Sequence, residues 1–219
     1  VIFGDGNDNG HFTVFTDATP NGDTIELGLR AKVRHNASGL PENTFNDLAN
    51  GEYYHLAGVA PTQSFPTATW SFEWSVNTDA TGTGVFKVGY FTYELGLDDD
   101  PGAGTNFVVF DPITPPGDGS FADHAMGDNM TSNGNGVSAT SEAEYLTYLS
   151  QYNVAQNSWK YHWFVSSFDP SVPGIYDIYL KAMYDGVVYG HTQIQVHVGY
   201  GEPVATESNT WGQLKSLFR

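Results

Sequence analysis

The sequence predicts an all-β fold, an antiparallel, jelly-roll-like β-sandwich with one or two short helices. Three observations predict it: apolar and polar residues alternate over several long segments, turn-rich stretches separate these segments, and few segments have helical periodicity. The chain has 219 residues and no cysteine, and a sandwich of this length forms a core without disulfides. We expect a single domain over residues 1–206 and an amphipathic tail over residues 207–219.

The clearest alternation lies in two segments, Thr24–His35 and Thr69–Asn77. In the first, apolar residues alternate with charged ones, which predicts a core face and a charged outer face. In the second, Trp70 and Trp74 share the apolar face, so we expect both indoles in the core. Further strands are predicted at Phe12–Thr16, Val85–Leu97, Asn106–Asp111 and Trp159–Ser166.

A hairpin is predicted from Gly174–Tyr184 and Val187–Val198. The apolar residues expected to point inward are even-numbered in both strands, and Val188 is one of them. A two-residue loop, Asp185-Gly186, would therefore place the two apolar sets on opposite faces. We expect a three-residue loop that starts at Tyr184, with Gly186 in the left-handed conformation that such a loop requires.

Two helices are predicted. Ser141–Gln151 begins with Ser141 and Glu144, the spacing of a capping box, in which each residue bonds a free backbone N–H of the first turn. Ser208–Phe218, in the tail, places its large apolar residues along one helical stripe.

The charge balance excludes several classes of partner. Eight Lys and Arg against 25 Asp and Glu give a formal net charge of −17, which argues against nucleic acid and anionic membrane surfaces. No apolar stretch approaches the ~20 residues of a membrane span. The low lysine content is typical of β proteins outside the cell, and a start at Val1 suggests a removed export signal. We expect a secreted, extracellular or bacterial cell-surface protein.

Calcium is the one cofactor that the sequence suggests. The segment Asp5-Gly-Asn-Asp-Asn-Gly10 matches the start of a calcium loop, in which alternate oxygens converge on the ion. The glutamate of the twelfth position is absent, since Thr16 stands there and Asp17 follows. A plain turn before the next strand explains the same residues without a metal. The predicted ligands are Asp5, Asn7, Asn9 and Asp17.

Acidic loops and one basic strand form a possible pair of complementary surfaces. The segment 88–159 has no Lys or Arg and holds seven aspartates, whose charges repel unless a cation or a basic partner neutralises them; plain solvation is the alternative. Three of the eight basic residues lie on one face of Thr24–His35. Together with the tail they form the predicted interaction residues: Arg30, Lys32, Arg34, Trp211, Leu214 and Phe218.

Tryptophan and histidine residues give no strong binding signal. Trp159 and Trp163 share a predicted strand face with core-type residues, so we expect both in the core. The histidines have no metal-ligand spacing and are predicted to be surface or satisfied groups. A sugar-binding surface, if present, is expected on the outer face of the last strand, where the side chains are Tyr189, His191, Gln193, Gln195 and His197.

No catalytic pattern is visible. A glycosidase needs two carboxylates ~5–9 Å apart across a cleft, and Glu26, Glu73 and Glu94 lie on strands without a recognised spacing. Nucleophile-elbow, zinc-protease, P-loop and dinucleotide-binding motifs are absent. The sequence predicts a protein that is not an enzyme.

Three segments carry a family resemblance: Gly28–Phe45, Ala68–Asn77 and Asn153–Trp159. Together they resemble a family of exported bacterial proteins that usually end in a PEP-CTERM sorting tail. The resemblance implies export, residence at the surface or in the extracellular matrix, and frequent association with exopolysaccharide, but no activity. This chain instead ends in Thr-Trp-Gly-Gln-Leu-Lys-Ser-Leu-Phe-Arg, which we interpret as a docking element.

Three functions follow, in order of preference. The first is a non-enzymatic structural protein of the cell surface, a homo-oligomer or homopolymer that assembles into an extracellular filament, sheath or matrix. The second is a glycan-binding module of the extracellular matrix, with exopolysaccharide as its partner. The third is an extracellular glycosidase or lyase.

Overall fold

A computed structural model describes residues 10–19, 22–48, 50–83, 85–114 and 123–201, and within these ranges twelve strands form two sheets. The first sheet contains β1 (Thr13–Ala18), β2 (Thr24–His35), β3 (Pro41–Thr44), β6 (Trp70–Asn77), β9 (Ala125–Gly127) and β10 (Val154–Trp159). The second contains β4 (Asp47–Leu48), β5 (Glu52–His55), β7 (Thr92–Asp98), β8 (Phe107–Phe110), β11 (Gly174–Tyr184) and β12 (Val187–Val198).

The strand order is β1-β2-β6-β10-β9 in the first sheet, where β3 also pairs with β2, and β4-β5-β12-β11-β7-β8 in the second. Neighbouring strands of the described residues are antiparallel except β5 and β12, which run parallel. The predicted all-β sandwich is confirmed, and this one parallel pair makes its second sheet mixed.

The core lies between the two sheets, where the period of two in the sequence places it. From the first sheet, the apolar residues of β2 from Ile25 to Ala31 and both predicted core indoles, Trp70 and Trp74, are buried, whereas Val33 near the end of β2 is half-buried. Trp159 of β10 packs against Trp74 with ring centroids 5.3 Å apart. From the second sheet, the buried side chains are those of Leu95, Leu97, Ile178, Leu180, Ile194 and Val196.

The hairpin of β11 and β12 brings its apolar residues to one face by a bulge, not by the predicted three-residue loop. Its loop has two residues, Asp185 at φ 48° and Gly186 at φ 74°, as in a type I′ turn. The register shifts at a bulge instead, where Met183 pairs with Val188 and Ala182 pairs with Gly190. The left-handed Gly186 is confirmed, but the three-residue loop is wrong. The inward orientation expected for Val188 is also wrong, because its side chain is 52% exposed.

Two predicted strands begin or end at different residues. The strand predicted at Val85–Leu97 starts only at Thr92, because a 3-10 helix precedes it. The strand predicted at Trp159–Ser166 is wrong: pairing ends at Trp159, and a second 3-10 helix follows at Tyr161–Trp163. A helical turn of three residues directs neighbouring side chains to different sides, so the strand face predicted for Trp163 does not exist.

The described residues contain one α-helix, α1, at Glu142–Gln151. Its predicted N-cap is confirmed: the Ser141 hydroxyl accepts a hydrogen bond from the Glu144 N–H at 3.3 Å. The Glu144 carboxylate accepts from the Thr140 N–H at 2.7 Å instead of closing the box on Ser141. No helix in the described ranges is long and apolar enough to cross a membrane. The second predicted helix, Ser208–Phe218, lies outside those ranges.

Candidate functional site

The basic residues of β2 are mostly not on the surface. Arg30 is fully buried and Lys32 is 5% exposed, so the charged outer face predicted for this strand is wrong at both positions. Glu73, on the neighbouring strand β6, binds both cations: its Oε2 lies 2.5 Å from the Arg30 Nη2, and its Oε1 lies 2.5 Å from the Lys32 Nζ. Burial lowers the pKa of Lys32, and the Glu73 carboxylate opposes that shift.

Further chain segments cover this outer face and explain the burial. The Arg30 guanidinium carbon lies 4.1 Å from the ring centroid of Phe12 and 4.5 Å from that of Phe45, within cation–π range. A side chain at Gly28 would place its Cβ 2.7 Å from the Phe12 ring, so this glycine lets Phe12 lie directly on β2. Lys32 donates to the Asn43 side chain at 2.9 Å. We call Arg30, Lys32 and Glu73 the buried ion cluster.

Arg34, the third basic residue of β2, is only partly covered. Its Nη1 donates to the backbone and side-chain oxygens of Ser158, on β10, at 3.0 Å each. Its guanidinium carbon lies 5.9 Å from the ring centroid of Trp163. The Nζ of Lys160 lies 5.8 Å from the same ring. Two cationic side chains therefore stand beside one indole.

This indole is open to solvent. Trp163 is 52% exposed, while the other tryptophans of the described residues, Trp70, Trp74 and Trp159, are at most 5% exposed. We call Trp163, Arg34, Lys160 and the nearby Gln63 the Trp163 platform. The Gln63 side-chain oxygen lies 3.5 Å from the Lys160 Nζ.

The turn that carries Trp163 is anchored on both sides. Tyr161 is buried, and its hydroxyl donates to the Asp98 backbone oxygen at 2.6 Å. Phe164 stacks on Phe110 with centroids 4.6 Å apart. Because its neighbours are packed into the core, Trp163 is held at the surface by a rigid backbone, which lowers the entropy cost of binding a ligand.

Among the described residues, neither Lys160 nor Arg34 has a carboxylate within ion-pair distance, since the ion pairs of Lys and Arg there involve Arg30, Lys32 and Lys181. The Glu73 and Asp123 carboxylates act on Arg34 from farther away and oppose the fall in its pKa that burial causes. Burial lowers the pKa of Lys160, and the positive charge of Arg34 adds to that shift. In a chain of net charge −17, two cations without a close carboxylate lie together at an exposed indole.

The outer face of the second sheet, where a sugar-binding surface was expected, bonds mainly to itself. Gln193 and Gln195 both donate to the Asp177 carboxylate, at 2.9 and 3.0 Å. His197 stacks on Tyr54 with centroids 4.6 Å apart. These contacts occupy several of the groups that would otherwise meet a ligand, so this face is the weaker candidate.

The acidic loops use their carboxylates locally. Asp98, Asp100, Asp111 and Asp128 each accept a hydrogen bond from the backbone N–H two residues further along the chain, the pattern by which Asp stabilises a turn. Within the described ranges, no group of three or more His, Asp or Glu side chains is arranged to hold a metal ion.

Of the four predicted calcium ligands, Asp17 lies among the described residues. Asp17 is exposed on β1, and its carboxylate accepts from the N–H of Ala18 at 2.7 Å. Its calcium-binding role stays a prediction, because the other predicted ligands, Asp5, Asn7 and Asn9, lie outside the described residues. The predicted contact residues of the tail, Trp211, Leu214 and Phe218, also lie outside them.

Comparisons with known proteins do not identify a relative. No protein-family model matches the chain, and a search of curated proteins finds no match. The family resemblance therefore stays a prediction from the three sequence segments that carry it.

The sequence contained a signal for the buried ion cluster but not for the Trp163 platform. Glu73 is the one charged residue on the outer side of β6, and Arg30, its partner in the pairing with β2, has the opposite charge. Near Trp163, aromatic residues alternate with Lys160 and His162. This alternation is compatible with a strand and also with a short helical turn. Only the packing of the turn decides between them.

We expect the substitution Glu73→Gln to lower the free energy of unfolding by about 3–5 kcal/mol, because it leaves two buried cations without a counter-charge. The matched control is Glu94→Gln. Its carboxylate, 30% exposed, pairs with Lys181 at 2.8 Å, so the loss should be below about 1 kcal/mol. Urea denaturation measures both, and equal losses would contradict the role of the cluster.

The pH dependence of stability tests the buried carboxyl of Asp98. Burial raises its pKa above the ordinary 3.8, and the Asp177 charge adds to the rise. The folded state therefore holds this proton more tightly than the unfolded chain, and the free energy of unfolding should fall as pH rises from 3.8 through the raised value. Asp98→Asn should remove this decrease, whereas Asp100→Asn should retain it. The midpoints of urea denaturation, measured from acidic to neutral pH for the wild type and both variants, test this expectation.

Proposed function

We propose that the chain is a non-enzymatic module that binds polysaccharide outside the cell, with the Trp163 platform as its binding surface. One observation carries the proposal: an indole that is 52% exposed is contacted by two cations that have no carboxylate within ion-pair distance in the described chain. The apolar face of a sugar ring packs on an aromatic ring, while charged donors bind its oxygens.

The geometry of the platform supports a binding role. A surface that contributes affinity needs side chains that are already held in place, since ordering them on binding costs free energy. Trp163 is held by the packing of Tyr161 and Phe164 on each side of it, and Arg34 by its two hydrogen bonds to Ser158. Of these three side chains, Lys160 is the one that can change its position when a ligand binds.

The proposed location and the absence of catalysis rest on other observations. The acidic, lysine-poor composition and the resemblance to exported proteins support a place outside the cell. Two of the strand carboxylates considered for catalysis are bound by cations: Glu73 lies in the buried ion cluster, and Glu94 accepts from Lys181 at 2.8 Å. These contacts favour binding over bond cleavage.

Affinity electrophoresis of the full chain through gels that contain neutral or acidic polysaccharides tests the proposal. We expect retardation by at least one polysaccharide, and we expect Trp163→Ala to weaken that interaction by more than about tenfold, as for a tryptophan at the centre of a binding surface. The matched control is Tyr200→Ala, since Tyr200 is an aromatic residue with a similar exposure of 49%. An unretarded wild-type chain, or equal effects of the two variants, would overturn the proposal.

A second candidate function is self-assembly into a surface structure. It is favoured by an apolar patch at one end of the second sheet, where five large side chains are 37–53% exposed. Phe86 contacts both aromatic members of the patch and so joins them. Contiguous exposed apolar surface of this kind is typical of contacts between proteins. The apolar end patch consists of Val85, Tyr90, Tyr184, Val187 and Val188.

Light scattering of the full chain tests this second candidate. Assembly predicts a native mass that is a multiple of 23.9 kDa and a return toward that mass in Val188→Lys, because a charge in the contact opposes its desolvation. Deletion of residues 207–219 measures the contribution of the tail separately. A wild-type monomer at high concentration would rule out assembly through the end patch.

A further inference from the structure

We infer that the glycan bound at the Trp163 platform is acidic, a uronate-containing polysaccharide whose carboxylate binds Lys160 and Arg34. This inference rests on the proposed function and adds the chemical class of the ligand. It follows from the charges, the free donors and the spacing of the platform, which favour an anionic ring over a neutral one.

The charges are the first argument. Lys160 and Arg34 lie 5.8 and 5.9 Å from the same ring centroid, so two positive charges share one small surface. Neither forms an ion pair with the described residues, although the chain has 25 acidic residues against eight basic ones. Like charges held together cost free energy that a bound anion removes, whereas a neutral sugar leaves that cost in place.

The free donors are the second argument. Among the described residues, the Lys160 Nζ donates one hydrogen bond, to the neutral Gln63 side chain at 3.5 Å, although its ammonium has three donors. Among the described residues, Arg34 forms its hydrogen bonds through Nη1 alone, to Ser158. Its Nε and Nη2 remain for a carboxylate, whose two oxygens match the spacing of guanidinium donors.

The spacing is the third argument. In a uronate, the carboxyl group projects from the edge of the pyranose ring. A ring packed on Trp163 would therefore direct its carboxylate to one side of the stacked pair. The Arg34 guanidinium carbon and the Lys160 Nζ lie over the indole, 5.9 and 5.8 Å from its ring centroid, so both charges are within reach of such a carboxylate. One sugar residue can contact the indole and a cation together.

Calorimetry with matched pairs of ligands tests the inference. Oligomers of galacturonate, glucuronate and mannuronate are each compared with their methyl esters, which keep the sugar ring and remove the charge; EDTA prevents gelation by calcium. At least one acid should bind about tenfold more tightly than its ester, as for a hydrogen bond to a charged group. Lys160→Gln should weaken binding of the acid more than binding of the ester and so reduce that preference, with Arg34 retaining the remainder.

The control variant is Lys181→Gln, which removes one positive charge from β11, where the lysine is paired with Glu94. It should retain the full preference for the acid. If every acid and its ester bind equally, or if Lys160→Gln and Lys181→Gln behave alike, the inference fails while glycan binding stands. If no uronate binds but a neutral polysaccharide retards the chain through Trp163, the inference also fails alone. If no polysaccharide binds at all, the proposed function fails as well.

Discussion

The Glu73 carboxylate, buried between Arg30 and Lys32, is the interaction on which the first sheet and its surface depend. It joins β2 to β6 on the side away from the core. Removing a carboxylate and two cations from water costs free energy, which is offset only if the ions are held in good geometry and further contacts satisfy their remaining donors. That requirement accounts for the layer above it, in which Phe12 and Phe45 cover the guanidinium.

The same cover determines which cations of β2 reach the surface. It hides Arg30 and Lys32 but leaves Arg34 partly open. From this position Arg34 reaches across β6 to Ser158, on β10, one strand away from its own neighbour. It thereby lies beside the turn that presents Trp163. The row of three cations on β2 thus runs from the buried ion cluster to the Trp163 platform, where we propose that Arg34 contacts the ligand.

The inner faces could be predicted from the sequence, and the outer faces could not. Burial between two sheets requires a period of two, which Ile25, Leu27, Trp70 and Trp74 follow. Burial under irregular segments leaves no period, so nothing in the order of residues marks Phe12 as the cover of Arg30. The hairpin shows the same limit. The sequence showed that a two-residue loop alone would place the two apolar sets on opposite faces, but either a bulge or a longer loop brings them to the same face.

The net charge and the local charge of this chain act at different distances. A formal charge of −17 repels a polyanion at long range, yet the Debye length is only about 8 Å at physiological ionic strength. Carboxylates farther than that from the Trp163 platform are largely screened, whereas Lys160 and Arg34 would touch the ligand. In the proposed function, an acidic surface with a small cationic site would oppose unspecific binding of anions and would restrict capture to a ligand that also packs on the indole of Trp163.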